Sequence, residues 1–393
     1  MVQTERVNGM RIAIFGGSFD PVHNEHIRLV RAAIDSLRLD RLFVVPAFAP
    51  PHKKGKTLTA DKDRLEMCRL AFAGFERVEV CDYEIAKGGT SFTYLTCKHF
   101  RALYPTADIF FLVGTDMLRD FPTWKHPEQI VKTVTLAVCA RDEKQGWADR
   151  EREIFREKFG CDFALIDYNG APVSSTEIRV LAGAGMDLTE YTDEKTAAYI
   201  VKNNLYEIPR AKEALELEKE SRRLHSIRVA KVAAKKAPAL GIDEKKAITA
   251  ALFHDCAKNL DVNAPQLQGF IPPQEWGEIP AQVLHQFAGA YVAERAFGVT
   301  DREVLNAIRF HTSARENMSE LEKLIFLADM VEEERVYEGV DVIRELFWNT
   351  GAGAGALDRC LEKALQETVL YLNKKGEKIY PLTLRAYAFY KQN

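Results

Sequence analysis

Several features are scarce in this sequence, and each absence excludes a class of protein. No apolar run approaches the ~18 residues that cross a bilayer, and the polar residues 1–10 followed by the short apolar run 12–15 lack a signal-peptide pattern. The seven cysteines are scattered and never spaced as Cys-x-x-Cys, which argues against a disulfide framework or a zinc ribbon. We therefore expect a soluble, cytoplasmic protein with reduced thiols.

An excess of charge of one sign is also lacking. Lysine and arginine total 54 against 57 for aspartate and glutamate, and neither half of the chain has a basic excess. We expect neither a nucleic acid nor a membrane as partner. The 393 residues correspond to two or three domains at roughly 150 residues each, and the 47% apolar and 28% charged content is typical of globular proteins.

The two halves of the chain differ in their hydrophobic pattern. Up to about Tyr206, short β-branched or aromatic runs alternate with amphipathic stretches, which is typical of a parallel α/β sheet. The predicted strands are residues 11–15, 41–45, 77–81, 108–113 and 133–138. From Glu207 onward the strand signals stop and an all-α domain is predicted. Because Pro209 disfavours helix in the residue before it, we place the domains at 1–209 and 210–393.

A glycine-rich block with two histidines follows the first predicted strand directly. It runs from Gly16 to His26 and leads into an amphipathic stretch, an arrangement typical of a phosphate-binding turn before a helix. His23 and His26, three residues apart, fall on one helix face near its positive end, where imidazoles can donate to phosphate oxygens. The alternatives are a glycine turn with surface histidines or, more weakly, a zinc site, for which no further ligand is suitably spaced.

This block resembles the GGxFDPxHxGH signature of nucleotidyltransferases, specifically bacterial nicotinate-nucleotide adenylyltransferases of the NadD type. Segments similar to later motifs of that family follow in order: 50–53 (Pro-Pro-His-Lys), 91–93 (Ser-Phe-Thr), 114–116 (Gly-Thr-Asp) with Trp124, 174–179 (Ser-Ser-Thr-Glu-Ile-Arg) and 199–206. The resemblance covers about residues 10–207. It implies a Rossmann-like domain that transfers the adenylyl group of ATP, with Mg²⁺, to nicotinate mononucleotide.

The resemblance also implies roles for individual residues. The attacking phosphate is already an anion, so catalysis needs positioning and charge neutralisation rather than a general base. His23, His26 and Arg179 would be catalytic. The residues that would bind ATP or the second substrate are Gly16, Gly17, Ser18, Phe19, His52, Lys53, Thr93, Gly114, Asp116, Trp124, Ser174, Ser175 and Thr176. Trp124 would stack on the pyridine ring, with simple packing as the alternative, and Ser174 with Glu177 also forms a capping-box pattern.

One residue departs from the signature, because Glu25 stands where the family has glycine between the histidines. A carboxylate beside the ATP phosphates would lower activity or shift the bound nucleotide. A side chain directed away from the site would leave catalysis intact, and we expect this second outcome.

The helical half places histidines and aspartates on apolar helix faces. Asp255 shares a face with Ile248 and Leu252, so its carboxylate points to the core, where an unpaired charge would cost several kcal/mol. Asp329 and His225 show the same pattern. Each one alone would be a satisfied core polar residue, but together they favour a metal site. Imidazole and carboxylate ligands suit Fe, Mn, Co or Zn rather than calcium.

The order His225, His254-Asp255, His285, His311, Asp329 resembles HD-domain metallohydrolases, and more closely the YqeK-type proteins that cleave diadenosine tetraphosphate symmetrically into two ADP. The resemblance covers about residues 215–393. It implies a first metal held by His225, His254, Asp255 and Asp329, with Asp255 also catalytic, and a second metal completed by His285 and His311. Two departures, Ala314 for a usual glycine and 332–335 for a proline-containing turn, bear on the substrate more than on the metal.

Three hypotheses remain open for the helical half. It hydrolyses dinucleoside polyphosphates beside the adenylyltransferase, it is a nucleotide-sensing regulatory module, or it hydrolyses another phosphorylated nucleotide. Retention of every candidate ligand argues against the sensor, since a sensor need not keep two metals.

Overall fold

The computed structural model describes residues 9–51, 58–140, 146–168, 170–171, 173–353 and 355–392. The chain forms two compact units, the first made of Met1–Ser175 and Leu188–Leu205 and the second of Thr176–Asp187 and Tyr206–Asn393. The domain bounds predicted from the sequence, 1–209 and 210–393, stay a prediction.

The first unit is built on a six-stranded sheet in which every neighbouring pair is parallel. The strands are β1 Arg11–Gly17, β2 Arg41–Pro46, β3 Val78–Val80, β4 Asp108–Gly114, β5 Thr135–Ala140 and β6 Ala164–Asp167. Their order across the sheet is β3-β2-β1-β4-β5-β6. The predicted α/β class is confirmed, and β6 is an additional strand whose short run gave too little signal in the sequence.

Helices connect these strands. They are α1 Asn24–Leu37, α2 Asp61–Phe72, α3 Tyr83–Lys87, α4 Thr93–Leu103, α5 Thr115–Asp120, α6 Pro127–Thr133, α7 Trp147–Phe159, α8 Ser175–Gly183 and α9 Glu194–Lys202. Helix α6 extends to Thr133, so β5 begins two residues later than predicted. Helix α8 begins in the first unit at Ser175 and continues in the second.

The strand order places a topological switch point between β1 and β4. The chain builds β1, β2 and β3 outward in one direction and then returns to place β4 on the other side of β1. In parallel α/β sheets, ligands bind at the carboxyl ends of the strands where the order reverses. Consecutive residues of β1, Ile12 to Ile14, are fully buried, so both faces of the sheet are covered. The open edge above Gly17 and Gly114 is therefore the expected place for a ligand.

The second unit is all-α over its described residues, as predicted. Its helices after α8 are α10 Ala211–Glu216, α11 Glu220–Lys236, α12 Glu244–Phe253, α13 Ala281–Arg295, α14 Arg302–Arg309, α15 Glu320–Val331, α16 Val340–Asn349, α17 Asp358–Lys375 and α18 Pro381–Gln392. Helix α15 begins at the capping residue Ser319, whose side chain accepts the N–H of Glu322. Its residues from Leu321 to Ala328 are all buried, because α11, α12, α14, α16 and α17 pack around it.

Within the described part of the chain, no helix combines the length and the apolar character required to cross a membrane.

Candidate active sites

The glycine-rich block lies at the carboxyl end of β1. Gly16 and Gly17 are the last residues of the strand, so they complete β1 and do not form the turn that the sequence predicted. A Cβ at Gly17 would lie 2.9 Å from the Phe19 ring, closer than real Cβ contacts, so a larger residue would have to displace that ring. Phe19 itself is buried and packs edge-on against Phe15, which indicates a structural role for its ring.

His23 and His26 stack on one another at the start of α1. Their ring centroids lie 3.7 Å apart, and His23, the residue before the helix, is only 5% exposed. The surface-histidine alternative therefore does not apply to His23. The backbone N–H of His23 donates to Nδ1 of His26 at 3.2 Å. Because an N–H can only donate, Nδ1 of His26 is an acceptor and its proton lies on Nε2.

Further predicted residues lie near this edge of the sheet. Ser175 Oγ donates to the carbonyl of Pro21 at 2.8 Å, which fastens the start of α8, after Ser174, to the glycine-rich block. Gly114 ends β4 and precedes α5, whose Asp116 has a side chain 92% exposed. Trp124 contacts Phe111 and Phe121 edge-on and tilted, so its ring is at least partly a packing element.

The remaining predicted residues of this site are placed as follows. Thr93 is the first residue of α4. His52 and Lys53 lie outside the described residues. Arg179 belongs to the second unit, where its Nε donates to Glu244 Oε1 at 2.6 Å and its Nη2 to Thr176 Oγ1 at 3.0 Å. The roles assigned to these residues stay predictions.

Glu25 is fully buried, and its carboxylate has partners of its own. Arg28 donates to Oε1 at 2.8 Å, and the Tyr168 hydroxyl donates to Oε2 and to the Glu25 carbonyl. Gly170 makes room, since a Cβ there would lie 2.5 Å from Oε2. The carboxylate is thus neutralised within the protein, which supports the expectation that it does not oppose the ATP phosphates.

Sequence reasoning missed Arg64, which is fully buried in α2. Its Nη1 donates to the carbonyl of Ser18 at 2.7 Å and its Nε to the carbonyl of Thr59 at 3.0 Å. This arginine fixes the turn that follows β1. An arginine among the apolar positions of a predicted helix was the signal that could have identified it.

The six predicted metal ligands converge within the helical unit. They come from α11 (His225), the residues directly after α12 (His254, Asp255), α13 (His285), the segment after α14 (His311) and the last turn of α15 (Asp329). All except Asp329 are buried. The central position of α15 allows the surrounding helices to direct side chains at one point.

Ligand atoms within 4.8 Å of one another form two sets that share His254. One set is His225, His254 and Asp329, and the other is His254, Asp255 and His311. This grouping differs from the one that the resemblance implied, because Asp255 falls with His311. His285 lies outside both sets among the described residues, although its Nε2 is 3.2 Å from Asp255 Oδ1.

Backbone carbonyls fix which nitrogen of two histidines can bind a metal. Nδ1 of His254 lies 2.6 Å from the carbonyl of Ala251, and Nδ1 of His311 lies 2.7 Å from that of Ile308. A carbonyl only accepts, so both Nδ1 atoms carry a proton, and Nε2 is the nitrogen of each ring that is left to bind a metal. His254 Nε2 is buried with no hydrogen-bond partner in the described structure, as expected of a metal ligand.

The charges in the cluster also suit a cation. Burial lowers the pKa of His311 to about 4, so this imidazole is neutral at physiological pH. Burial alone would raise the pKa of Asp255, but the neighbouring His254, His285 and His311 outweigh it and hold the pKa well below its usual range. Burial is likewise outweighed at Asp329, mainly by His225 and Arg335, and its pKa is lowered. Two carboxylates are therefore ionised among imidazoles.

Three cations border the cluster and were not predicted. Arg222 Nη1 lies 3.0 Å from Asp255 Oδ2, Lys258 Nζ lies 3.3 Å from Asp255 Oδ1, and Arg335 pairs with Asp329. Each side chain is about one third exposed, so each reaches both the ligands and solvent. Such cations suit a polyanionic substrate.

Comparison with known proteins finds two different families along the chain. A family model described as cytidylyltransferase-like matches residues 14–181, and an HD domain model matches residues 222–334. A probable nicotinate-nucleotide adenylyltransferase/Ap4A hydrolase of Mycoplasma genitalium is 32% identical over 330 residues, which cover 84% of this chain and 89% of that protein. The chain belongs to this family of fused proteins.

Two further relatives support the assignment, one a fused protein and one an adenylyltransferase alone. The protein of the same description from Mycoplasma pneumoniae is 30% identical over 345 residues, covering 84% of this chain and 92% of its own length. A probable nicotinate-nucleotide adenylyltransferase of Clostridium tetani is 36% identical over 195 residues, 49% of this chain and 98% of that protein. The chain is thus an enzyme with a nucleotidyltransferase part and an HD hydrolase part, and the HD domain implies a divalent metal.

The two departures in the HD part have structural consequences. Ala314 is fully buried with φ 56°, a left-handed conformation that costs a residue with a Cβ about 1 kcal/mol relative to glycine. Glu332, in the turn after α15, is 2% exposed and lies against His225. The second departure therefore adjoins a predicted metal ligand.

Proposed function

We propose that this chain is a bifunctional enzyme. Its first activity transfers the adenylyl group of Mg²⁺-ATP to nicotinate mononucleotide, giving nicotinate adenine dinucleotide and pyrophosphate for NAD biosynthesis. Its second activity hydrolyses diadenosine tetraphosphate symmetrically into two ADP with one or two ions of Fe, Mn, Co or Zn.

The protonation of His26 is the observation that carries the first activity. A neutral imidazole that donates from Nε2 at a helix N-terminus is suited to bind phosphate oxygens. In the reaction, a phosphate oxygen of nicotinate mononucleotide bonds to the α-phosphorus of ATP while the bond to the departing pyrophosphate breaks. The nucleophile needs no base, so the contribution of His23, His26 and the first turn of α1 is to position the phosphates and neutralise their charge.

The shared, buried Nε2 of His254 is the observation that carries the second activity. When bound, divalent ions polarise phosphate oxygens and lower the pKa of water. An ion would be held by His225, His254 and Asp329 or by His254, Asp255 and His311. Because Nε2 of His254 is the one nitrogen of that ring left to ligate, it would serve one ion at a time. Arg222, Lys258 and Arg335 would neutralise the polyphosphate as it approaches the cluster.

Two assays on the full chain test the proposal. The first follows nicotinate adenine dinucleotide and pyrophosphate formed from ATP, Mg²⁺ and nicotinate mononucleotide. The second incubates the protein with diadenosine tetraphosphate and Mn²⁺ or Co²⁺ and separates the products. Two ADP per substrate are expected, and metal analysis of the purified protein should find a transition metal.

Other products would contradict parts of the proposal. Formation of ATP and AMP would exclude symmetrical cleavage. Bound metal with no cleavage of any dinucleoside polyphosphate would favour another phosphorylated nucleotide or a regulatory role. Activity with nicotinamide mononucleotide but not with nicotinate mononucleotide would overturn the first assignment.

A further inference from the structure

The buried carboxylate of Glu332 contacts His225, a predicted metal ligand, on the ring nitrogen opposite the ligand set. Glu332 lies in the turn after α15 and is 2% exposed. Its Oε1 is 3.0 Å from Nδ1 of His225, while Nε2 of the same ring faces Asp329 Oδ1 at 2.8 Å. The ring of His225 thus lies between Glu332, which is outside the ligand sets, and Asp329, which belongs to one of them.

The carboxylate of Glu332 is itself fixed in place. Arg228, one turn after His225 on α11, donates to Oε2 at 2.7 Å, and the backbone N–H of Glu334 donates to the same oxygen at 2.9 Å. With Oε2 occupied by these donors, Oε1 is left to accept from His225. In this arrangement Nδ1 of His225 can donate to Oε1 of Glu332, and Nε2 is the ring nitrogen directed at Asp329 and the ligand set.

In all three histidines of the ligand sets Nδ1 faces a hydrogen-bond acceptor, but the acceptors differ. His254 and His311 donate to neutral carbonyls three residues earlier in the chain. His225 alone of these three donates to a carboxylate, and a charged acceptor raises the basicity of the opposite nitrogen.

We propose that Glu332 is a positioning residue of the metal centre, which orients His225 and strengthens its Nε2 as a metal ligand. The inference rests on the metal centre of the proposed function but not on the identity of the substrate. It assigns a role to the segment 332–335, where the sequence departs from the expected turn.

The test measures metal affinity directly, by calorimetric titration of the metal-free full chain with Mn²⁺ and with Co²⁺. Glu332→Gln keeps an acceptor for His225 but removes the charge, so affinity should fall about 10-fold. Glu332→Ala removes both, and affinity should fall up to about 100-fold. The visible absorption of bound Co²⁺ should change in Glu332→Ala, since His225 is no longer held. Glu334→Gln, whose side chain is exposed in the same turn, should bind both ions as wild type does.

Each outcome decides the inference. Wild-type affinity in both Glu332 variants would overturn it. If circular dichroism shows that Glu332→Ala is unfolded, Glu332→Gln still decides through its affinity and Co²⁺ spectrum. Wild-type protein that binds metal but cleaves no dinucleoside polyphosphate would contradict the proposed hydrolase activity. The metal affinities of the Glu332 variants would still test the role of Glu332. Wild-type protein that binds neither ion would overturn both.

Discussion

Both candidate sites contain histidines, and the backbone contacts Nδ1 in opposite ways at the two sites. In the first unit, a backbone N–H occupies Nδ1 of His26, so Nε2 carries the proton and can donate. In the second, backbone carbonyls occupy Nδ1 of His254 and His311, so Nε2 is the nitrogen left to bind a cation. A donor suits phosphate and a lone pair suits a metal. A single backbone contact thus distinguishes a histidine for nucleotide binding from one for metal binding.

The carboxylates near the two sites differ in their partners. Glu25, between His23 and His26 in the chain, is neutralised by Arg28 and Tyr168. Asp255 and Asp329 instead face imidazole nitrogens directly. In the part of the chain that the structure describes, both sets with metal-ligand geometry lie in the second unit.

The largest effect that tests this difference between the two sites is expected from Asp255→Asn. The substitution keeps the volume but removes the negative charge that imidazoles lack, so bound metal should decrease. Cleavage of diadenosine tetraphosphate should fall by more than about 100-fold. Adenylyl transfer should remain at the wild-type rate. Metal analysis and both activity assays measure these effects on one preparation.

Asp341→Asn is the matched control, because that side chain is 93% exposed in α16. It should leave both activities unchanged. An Asp255→Asn protein that loses adenylyl transfer but retains its metal would mean that the helical half regulates the first unit.

Replacement of His23 or His26 by Ala tests the phosphate-binding role of the histidines in the first unit. Adenylyl transfer should fall by about 100-fold or more, because the departing pyrophosphate loses a hydrogen-bond donor that stabilises its charge. Hydrolysis should not change. His26→Gln places an amide donor near the position of Nε2 and should retain more activity than His26→Ala.

His99→Ala controls for loss of an imidazole elsewhere in the first unit, since His99 stacks on Tyr83 away from α1. Normal kcat and KM in both His23→Ala and His26→Ala would remove these residues from the site. Equal loss in His26→Gln and His26→Ala would contradict the donor role of Nε2.

Much of this contrast could be predicted from the sequence, and the rest required coordinates. Apolar runs such as residues 108–113 predicted buried strands, and the helical spacing of Asp255 with Ile248 predicted a carboxylate in the core. Contacts between residues far apart in the chain leave no pattern in the local sequence. Glu332 is 107 residues from His225, and Arg64 is 46 from Ser18, so only the folded chain brings them together. The proton positions likewise depend on backbone contacts that periodicity does not encode.

Glu218 sharpens the comparison through pH, because it is a buried carboxylate that accepts a hydrogen bond from the neutral Ser226 hydroxyl at 2.9 Å. Burial raises its pKa to about 7. The folded protein therefore keeps the proton at a pH where the unfolded chain has lost it, and stability falls as pH rises from about 4.5 to about 7. Glu218→Gln escapes this loss and should be more stable than wild type at pH 8 by on the order of 2 kcal/mol.

Thermal unfolding of the metal-free proteins at pH 5 and pH 8 measures the effect. The difference between variant and wild type should be several degrees at pH 8 and much smaller at pH 5. Glu216→Gln, exposed in α10, should show no such pH dependence. A Glu218→Gln variant that is equally stabilised at both pH values would contradict a raised pKa.

The smallest effect is expected from Glu25→Gly, which restores the glycine of the adenylyltransferase signature. If the Glu25 carboxylate opposed the ATP phosphates, its removal would lower the KM for ATP. Because Arg28 and Tyr168 already hold it, we expect the KM to change by less than about threefold, within the range of weak, compensated charges. Stability should instead fall by about 1 kcal/mol, since glycine in a helix costs backbone entropy and the buried contacts are lost.

Glu25→Gln separates charge from packing at this position, because it keeps the side chain and leaves Tyr168 an acceptor. Initial rates over a range of ATP concentrations and thermal unfolding would be measured for both variants. A decrease of about 10-fold or more in the KM for ATP in both variants would show that the charge reaches the nucleotide despite its partners. An unchanged KM with lowered stability would place Glu25 with the framework of the first unit, and would leave His23 and His26 as the residues of α1 that meet the phosphates.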